Sequence, residues 1–182
     1  MTTRRSFKSC LKHYSFYLGG DQPAVAWVER LRSVFGAFLG LLIVLVIAKY
    51  LGELNSIGEW LMASLGASAL LVFALPQSPM AQPWAVIAGN SFSALIGIGC
   101  AIVIQAPLLA LPAAASLSIL LMFMLRCLHP PAAAVALIAV LGGITHFRYA
   151  FFPVMVDSIL LILAGALYSN FTGKRYPNRP SK

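Results

Sequence analysis

The sequence predicts an all-α, polytopic transmembrane helix bundle, and three observations predict it. Hydrophobic residues make up 60% of the chain and charged residues only 10%, with a mean hydropathy of +0.86, far too apolar for a soluble domain. Several apolar stretches approach the roughly 20 residues that cross about 30 Å of hydrocarbon as a helix. The basic residues gather at the chain ends: Arg4, Arg5, Lys8, Lys12, Arg30 and Arg32 precede the first apolar run, and Lys174, Arg175, Arg179 and Lys182 follow the last. That placement is a topology signal, so the net charge of +8 needs no nucleic-acid partner. A cleaved signal peptide fits poorly, because the first apolar run starts after about thirty residues and is too long.

About six hydrophobic segments follow, arranged as one membrane domain over residues 31–171. A basic cytoplasmic arm (residues 1–30) precedes it and a basic tail (residues 172–182) follows. Segment 1, residues 33–52, is uninterrupted, with Lys49 and Tyr50 at its far end where both can snorkel. Its Gly36 and Gly40 form a small-xxx-small pair, a signal for close helix packing. Segment 2, residues 57–76, carries the small-residue run Gly66-Ala67-Ser68-Ala69 and ends in a stretch holding Pro76, Pro79 and Pro83, which excludes a continuous helix. Segment 3, residues 84–104, starts behind Pro83, a residue suited to a first helical turn. Gln105, Ala106 and Pro107 make an uncharged turn into segment 4, residues 108–125. Segment 5, residues 130–143, covers only about 21 Å as a helix. It is read as a short helix, a re-entrant half-helix or part of a broken span. Residues 144–152 hold His146, Arg148 and aromatics, as an interfacial loop would, and segment 6, residues 153–171, carries Asp157 near its start.

If six crossings alternate from an inside N-terminus, only Lys49 and Arg148 lie outside, and the remaining eleven of the 13 Lys and Arg lie inside. Four full spans with segments 2 and 5 short or broken leave the termini on the same side, so the charge rule allows both. Segments 1–3 and 4–6 share a plan: a long span, an interrupted span rich in small residues, then a proline-led span with an early polar residue. Three spans per half would make this an inverted 3+3 repeat, a plan that places transporter sites at the repeat interface.

The chemistry concentrates where the hydrocarbon would least tolerate it. His129, Pro130 and Pro131 interrupt an apolar stretch just after Arg126, and irregular backbone at such depth needs protein or water around it. Histidine there suits anion binding when protonated, or proton transfer. Pro130 and Pro131 open segment 5, whose early amides at Ala132 and Ala133 face outward from a helix N-terminus, a ready anion site. Arg126 is either part of that site or a surface anchor. Asp157 is the one acid within a span, a functional candidate by default, with Arg126, His129 or Asn90 as partners. Asn90 and Ser68 supply neutral hydrogen bonds, Gly66 allows a ligand near the backbone, and Ser78 and Gln82 are candidates to line a polar vestibule. For each of these, helix packing or turn formation is the competing role. No phosphate loop, nucleophile elbow or metal-ligand spacing is present, and His13, His129 and His146 are too scattered for a metal cluster. Cys10, Cys100 and Cys127 show no disulfide or metal pattern. The chain is therefore read as a non-enzyme with no cofactor.

Over residues 32–170 these motifs together resemble the HPP family of integral membrane proteins. The resemblance rests on Gly66-Ala67-Ser68-Ala69, then Ser78-Pro79-Met80-Ala81-Gln82-Pro83, then His129-Pro130-Pro131-Ala132, in this order. It implies about four transmembrane helices, fewer than six segments. It also implies a link to nitrite transport, with which plastid and cyanobacterial relatives are associated. Family members often carry glycine after the tripeptide, where this chain has Ala132, Ala133 and Ala134. The expectation is a multi-pass cell inner membrane transporter of a small solute, a small inorganic anion such as nitrite, with both termini cytoplasmic. In that mechanism His129 and the start of segment 5 hold the negative charge, and Asp157 tunes or relays protons. The lipid bilayer and the anion are the expected partners, with a homo-oligomer also open. The alternative is a non-transporting scaffold, sensor or assembly factor.

Overall fold

The computed structural model describes residues 25–52 and 56–178, residues 56–60 by their backbone alone. Most of the basic arm, the residues entering segment 2 and the last four of the tail lie outside the described residues. Helix α1 spans Trp27–Tyr50, and α2 spans Ser56–Ala69 and continues as a π-turn, Leu70–Ala74. A 3-10 turn, Pro79–Ala81, leads into α3, Pro83–Val103, and α4 spans Pro107–Met124. After α5, Pro130–Leu141, a π-turn at Ala150–Met155 runs into α6, Val156–Phe171. Among the described residues there is no strand.

Four helical stretches are long and apolar enough to cross a membrane: Trp27–Tyr50, Pro83–Val103, Pro107–Met124 and Ala150–Phe171. Leu61–Ala74 and Pro130–Leu141 are apolar but shorter. α1 begins at Trp27, inside the stretch expected as arm. Glu29 in its first turn explains why: its carboxylate pairs with Arg32 at 2.6 Å and with Lys174, tying polar side chains together at the helix start. Segment 6 also differs from a helix led directly by Pro153. Phe152 leaves helical geometry (φ −143°, ψ 111°), and regular α-helix resumes only at Val156. A proline cannot donate to the preceding turn and pushes the residue before it into extended backbone.

The helices alternate in direction. The start of α1 meets the end of α6 through Arg32 and Thr172 (2.8 Å). The start of α3 meets the end of α4 through the Trp84 indole N–H and the Leu125 carbonyl (3.2 Å). The tail reaches the connection after α2, where the Tyr176 hydroxyl donates to the Ala81 carbonyl (2.6 Å). One end of the bundle therefore carries Arg30, Arg32, Arg126, Lys174 and Arg175, and the other carries Lys49 and Arg148.

Packing follows the small residues. α3 is central and lays Ala85, Ala88, Gly89, Ala94 and Gly97 against its neighbours. α5 answers with Ala132, Val135, Ala136 and Ala139, the i, i+3, i+4, i+7 face of a buried helix. α1 is peripheral, burying only Gly36, Gly40, Val44 and Ala48, one residue per turn. Gly36 and Gly40 admit the Phe73 ring, and Gly36 also the Tyr168 ring, directly onto the helix backbone. The two rings meet edge to face at 5.9 Å. The small-xxx-small pair is thus used for packing. Neighbour relations also pair off under the exchange of α1 with α4, α2 with α5 and α3 with α6. α1 packs on α6 as α4 packs on α3, while α2 meets α5 and α3 meets α6 across the middle. The most extensive contact, between α3 and α5, has only a slight counterpart between α2 and α6, so the pairing is that of an inverted 3+3 repeat only in part.

Arg126 ends α4 in the left-handed region, at φ +53°. The Cys127 amide closes back on the Met122 carbonyl (3.0 Å) and the Arg126 amide on Phe123 (3.3 Å), the Schellman pattern. Gly143 and Gly173 hold the same position after α5 and α6, at φ +58° and +72°. Arginine pays a Cβ penalty there that glycine does not. Arg126→Gly is expected to stabilise the detergent-purified protein by about 1 kcal/mol. A lower unfolding temperature in the variant contradicts this.

Candidate functional site

The site begins at a sequence constraint. Pro130 forces His129 into extended backbone (φ −138°, ψ 100°), so His129 caps α5 from outside the helix and its ring turns into the bundle. The residue is completely buried. Its Nδ1 lies 2.8 Å from the Met80 carbonyl oxygen. A carbonyl only accepts, so Nδ1 carries the proton. Nε2 lies 2.8 Å from Ser68 Oγ, and in the neutral ring it accepts from that hydroxyl. Ser68 Oγ is also 3.2 Å from the Ser64 carbonyl, one turn back, and its single proton serves one acceptor at a time. Ser64 in turn donates to the Pro131 carbonyl (2.9 Å). Two serines of α2, the turn at Met80 and the start of α5 are thereby knotted around one imidazole. Gly89 of α3 forms the wall behind it, since a Cβ there would lie 3.0 Å from the Cys127 carbonyl oxygen and from His129 Cβ.

This geometry corrects the expected charge. His129 lies in the connection between α4 and α5, and burial pushes its pKa down to about 4, against the pull of the Met80 carbonyl. The resting ring is neutral, with both nitrogens engaged by the protein. The helix start is also less open than expected: Pro130 and Pro131 have no N–H, and the Ala132 amide donates to the His129 carbonyl (2.9 Å). Arg126 does not join His129 in this knot; it is exposed, and its backbone serves the end of α4. Pro130 is exposed, Pro131 and Ala132 are buried, and Ala133 is half-buried. Gly66 faces open space, with no atom near the position of a Cβ, so no packing demand explains it.

A second polar group sits where α3 meets α6. The Asn90 amide donates to Ser158 Oγ (2.9 Å), and Ser158 donates to the Val154 carbonyl (2.8 Å). Asp157 is buried beside it, at 1% exposure. Tyr149 feels that carboxylate: burial first, then the negative charge of Asp157, push its phenol pKa upward, so it remains a neutral hydroxyl. Asn90 and Asp157 thus face the interior, and adjacent α3 residues, Gly89 and Asn90, touch the two polar groups in turn.

Ser78 and Gln82 hold a turn together. Ser78 Oγ accepts from the Met80 amide (3.3 Å). The Gln82 amide donates to the carbonyls of Pro76 and Ser78 (3.0 Å each), and its oxygen accepts from the Asn178 amide (2.8 Å). They position Met80, and through it His129. Sequence reasoning did not single out Ser64 or Tyr149, nor the Tyr176 and Asn178 clasp. Ser64 was within reach, because a serine four residues before Ser68 shares its helix face. Tyr176 lies beyond the last span and carries no such signal.

Helices that meet the length of a membrane crossing, wrapped around buried polar side chains, define an integral multi-pass membrane protein. The chain belongs to the HPP family: residues 22–177 match the family model described as HPP, transmembrane region. Two proteins of Dictyostelium discoideum, each described only as a transmembrane protein, are similar to it. One is 37% identical over 95% of this chain and 67% of its own length, the other 33% identical over 92% of this chain and 57% of its own length. The chain thus spans about three-fifths to two-thirds of these relatives. No solved structure matches it.

Proposed function

We propose that this protein is a transporter of a small solute, not an enzyme, and that the solute is a small inorganic anion such as nitrite. The membrane would be the cell inner membrane, with both termini cytoplasmic. The orientation is supported by the five described basic residues at one end of the bundle against two at the other. The observation that carries the reading is the buried His129 knot. Polar side chains inside a membrane bundle are expensive and mark solute or proton pathways. This one joins three elements through side-chain bonds that a ligand can exchange.

The neutral ring shapes the mechanism. With Nδ1–H held by Met80, Nε2 presents a lone pair, which repels a bare anion. An anion arriving with a proton is different: Nε2 takes the proton, and imidazolium and anion are buried as a pair, which costs less than burying either alone. Ser68 then turns its hydroxyl to the anion or to the Ser64 carbonyl. Asn90 would add a neutral donor along the path, and Asp157 a fixed negative charge beyond it.

The test is uptake of nitrite, nitrate, formate and bicarbonate into proteoliposomes, with protein-free liposomes subtracted at each pH because weak acids cross bilayers unaided. The expected result is saturable uptake that rises as external pH falls, and is about tenfold slower for Ser68→Ala, as the loss of one hydrogen bond worth about 1.4 kcal/mol gives. Absence of saturable uptake for every solute would assign the chain instead to the scaffold, sensor or assembly-factor class.

A further inference from the structure

We infer that the contact between α3 and α6 holds a binding site for a hard monovalent cation of sodium size, formed by the Asp157 carboxylate, the Asn90 side-chain carbonyl and the Ser93 hydroxyl. The site stands whether or not the chain carries an anion. Its first support is the orientation of Asn90. Ser158 spends its only proton on the Val154 carbonyl, so toward Asn90 it can only accept. That fixes Nδ2 on Ser158 and turns Oδ1 away from it. Asn90 is 1% exposed, and its Oδ1 meets no hydrogen-bond partner in the protein.

Ser93 gives the second, independent support. It lies one turn further along the same face of α3 and is also 1% exposed. Serine in an apolar helix ordinarily bonds the carbonyl four residues back, as Ser158 does here. Ser93 Oγ makes no such bond and meets no other partner. The Ser91 and Ser118 hydroxyls also lack a partner, but Asn90 and Ser93 place two such oxygens on one helix face, the arrangement a cation ligates.

Charge and ligand type choose the ion. Asp157, next to Ser158 on α6, brings a single negative charge to this level of the bundle, and Tyr149 contributes a neutral phenol near it. One carboxylate with neutral oxygens balances one positive charge, whereas a divalent ion would leave a net charge in a low-dielectric interior. Among the described residues no three His, Cys, Asp or Glu side chains converge, so the donor set is not that of a transition metal. The site also joins α3 to α6, so an ion there would bear on how these two helices pack.

The test uses the full chain, purified in detergent and exchanged into choline chloride. Sodium chloride replaces choline at constant ionic strength while the thermal unfolding midpoint is read, with potassium chloride and a pH series in parallel. The expected result is a saturable sodium-dependent rise in midpoint. Ser93→Ala should need about tenfold more sodium for half the effect, as the loss of one neutral ligand gives, and Asp157→Asn should abolish it. If Asp157→Asn does not fold, the Ser93→Ala shift and equilibrium binding of radioactive sodium to the wild type decide alone. No sodium-specific rise overturns the proposal. So does a rise undiminished in Ser93→Ala, or a response to acid alone, which would make Asp157 a proton site.

Discussion

His129→Ala is expected to destabilise the detergent-purified protein by roughly 3 to 5 kcal/mol, through lost buried hydrogen bonds and the space left behind. The substitution removes the donor to the Met80 carbonyl and the acceptor for Ser68, at a site with no solvent access. The turn at residues 76–83 is held to the bundle core through that ring, so it should loosen first. Proteolysis within this turn, silent in the wild type, is the sensitive readout. The pH profile separates the ring's role from simple bulk. The native pKa of about 4 lies below the 6.5 of a free histidine, so between these values the unfolded chain binds more protons. Stability from this residue is fully present above pH 6.5 and is lost as pH falls toward 4, a change on the order of 3 kcal/mol. His129→Gln retains a buried amide but has no such titration, and its profile across this window should be flatter. An equally steep fall in the variant would assign the acid sensitivity to another group.

The fold was legible because membranes impose few solutions. Continuous apolar length, proline at the start of α3, α4 and α5, and the end-loaded basic residues suffice to mark the helices, since spanning backbone must bond within itself. The ends were less legible. Trp27 begins a helix inside a stretch that reads as polar arm, because Glu29 finds Lys174 and Arg32, a pairing across the whole chain that no local pattern announces. The regular part of α6 starts three residues after Pro153, because the proline holds Phe152 in extended backbone and the helix settles only beyond it.

In the site, residue types were legible and their electrical state was not. His129, Ser68, Asn90 and Asp157 stand out as polar groups in apolar runs, and all four are buried. Whether a histidine is charged depends on its neighbours, and Met80 and Ser68 lie 49 and 61 residues away in sequence. Arg126 shows the converse. Its spacing, one turn before His129, suggested a shared site, yet the chain reverses between them with Arg126 in the left-handed position, sending the guanidinium outward. Ser78 and Gln82 read as vestibule or turn, and their hydrogen bonds are those of a turn.

Gly97→Ala is the sharper test of how the bundle is assembled. At this position α3 and α5 touch backbone to backbone: a Cβ would land on the Ala136 carbonyl oxygen and within 2.8 Å of Ala136 Cα and Ala139 Cβ. None of these atoms can rotate away, because all belong to a helix backbone or to alanine. The two helices must separate, and overpacking of this kind costs about 3 kcal/mol. Alanine is a better helix former than glycine by about 1 kcal/mol, which offsets part of it. The net expectation is a loss of roughly 2 kcal/mol, larger if separation also loosens the His129 knot at the head of α5. Gly99, two residues on in the same helix, has nothing near its Cβ position. Gly99→Ala therefore carries the propensity gain without the clash and should stabilise by up to about 1 kcal/mol. Opposite signs for two identical substitutions, measured by unfolding under the same detergent conditions, would locate the closest helix contact at Gly97. Equal effects would mean that α3 and α5 do not meet there.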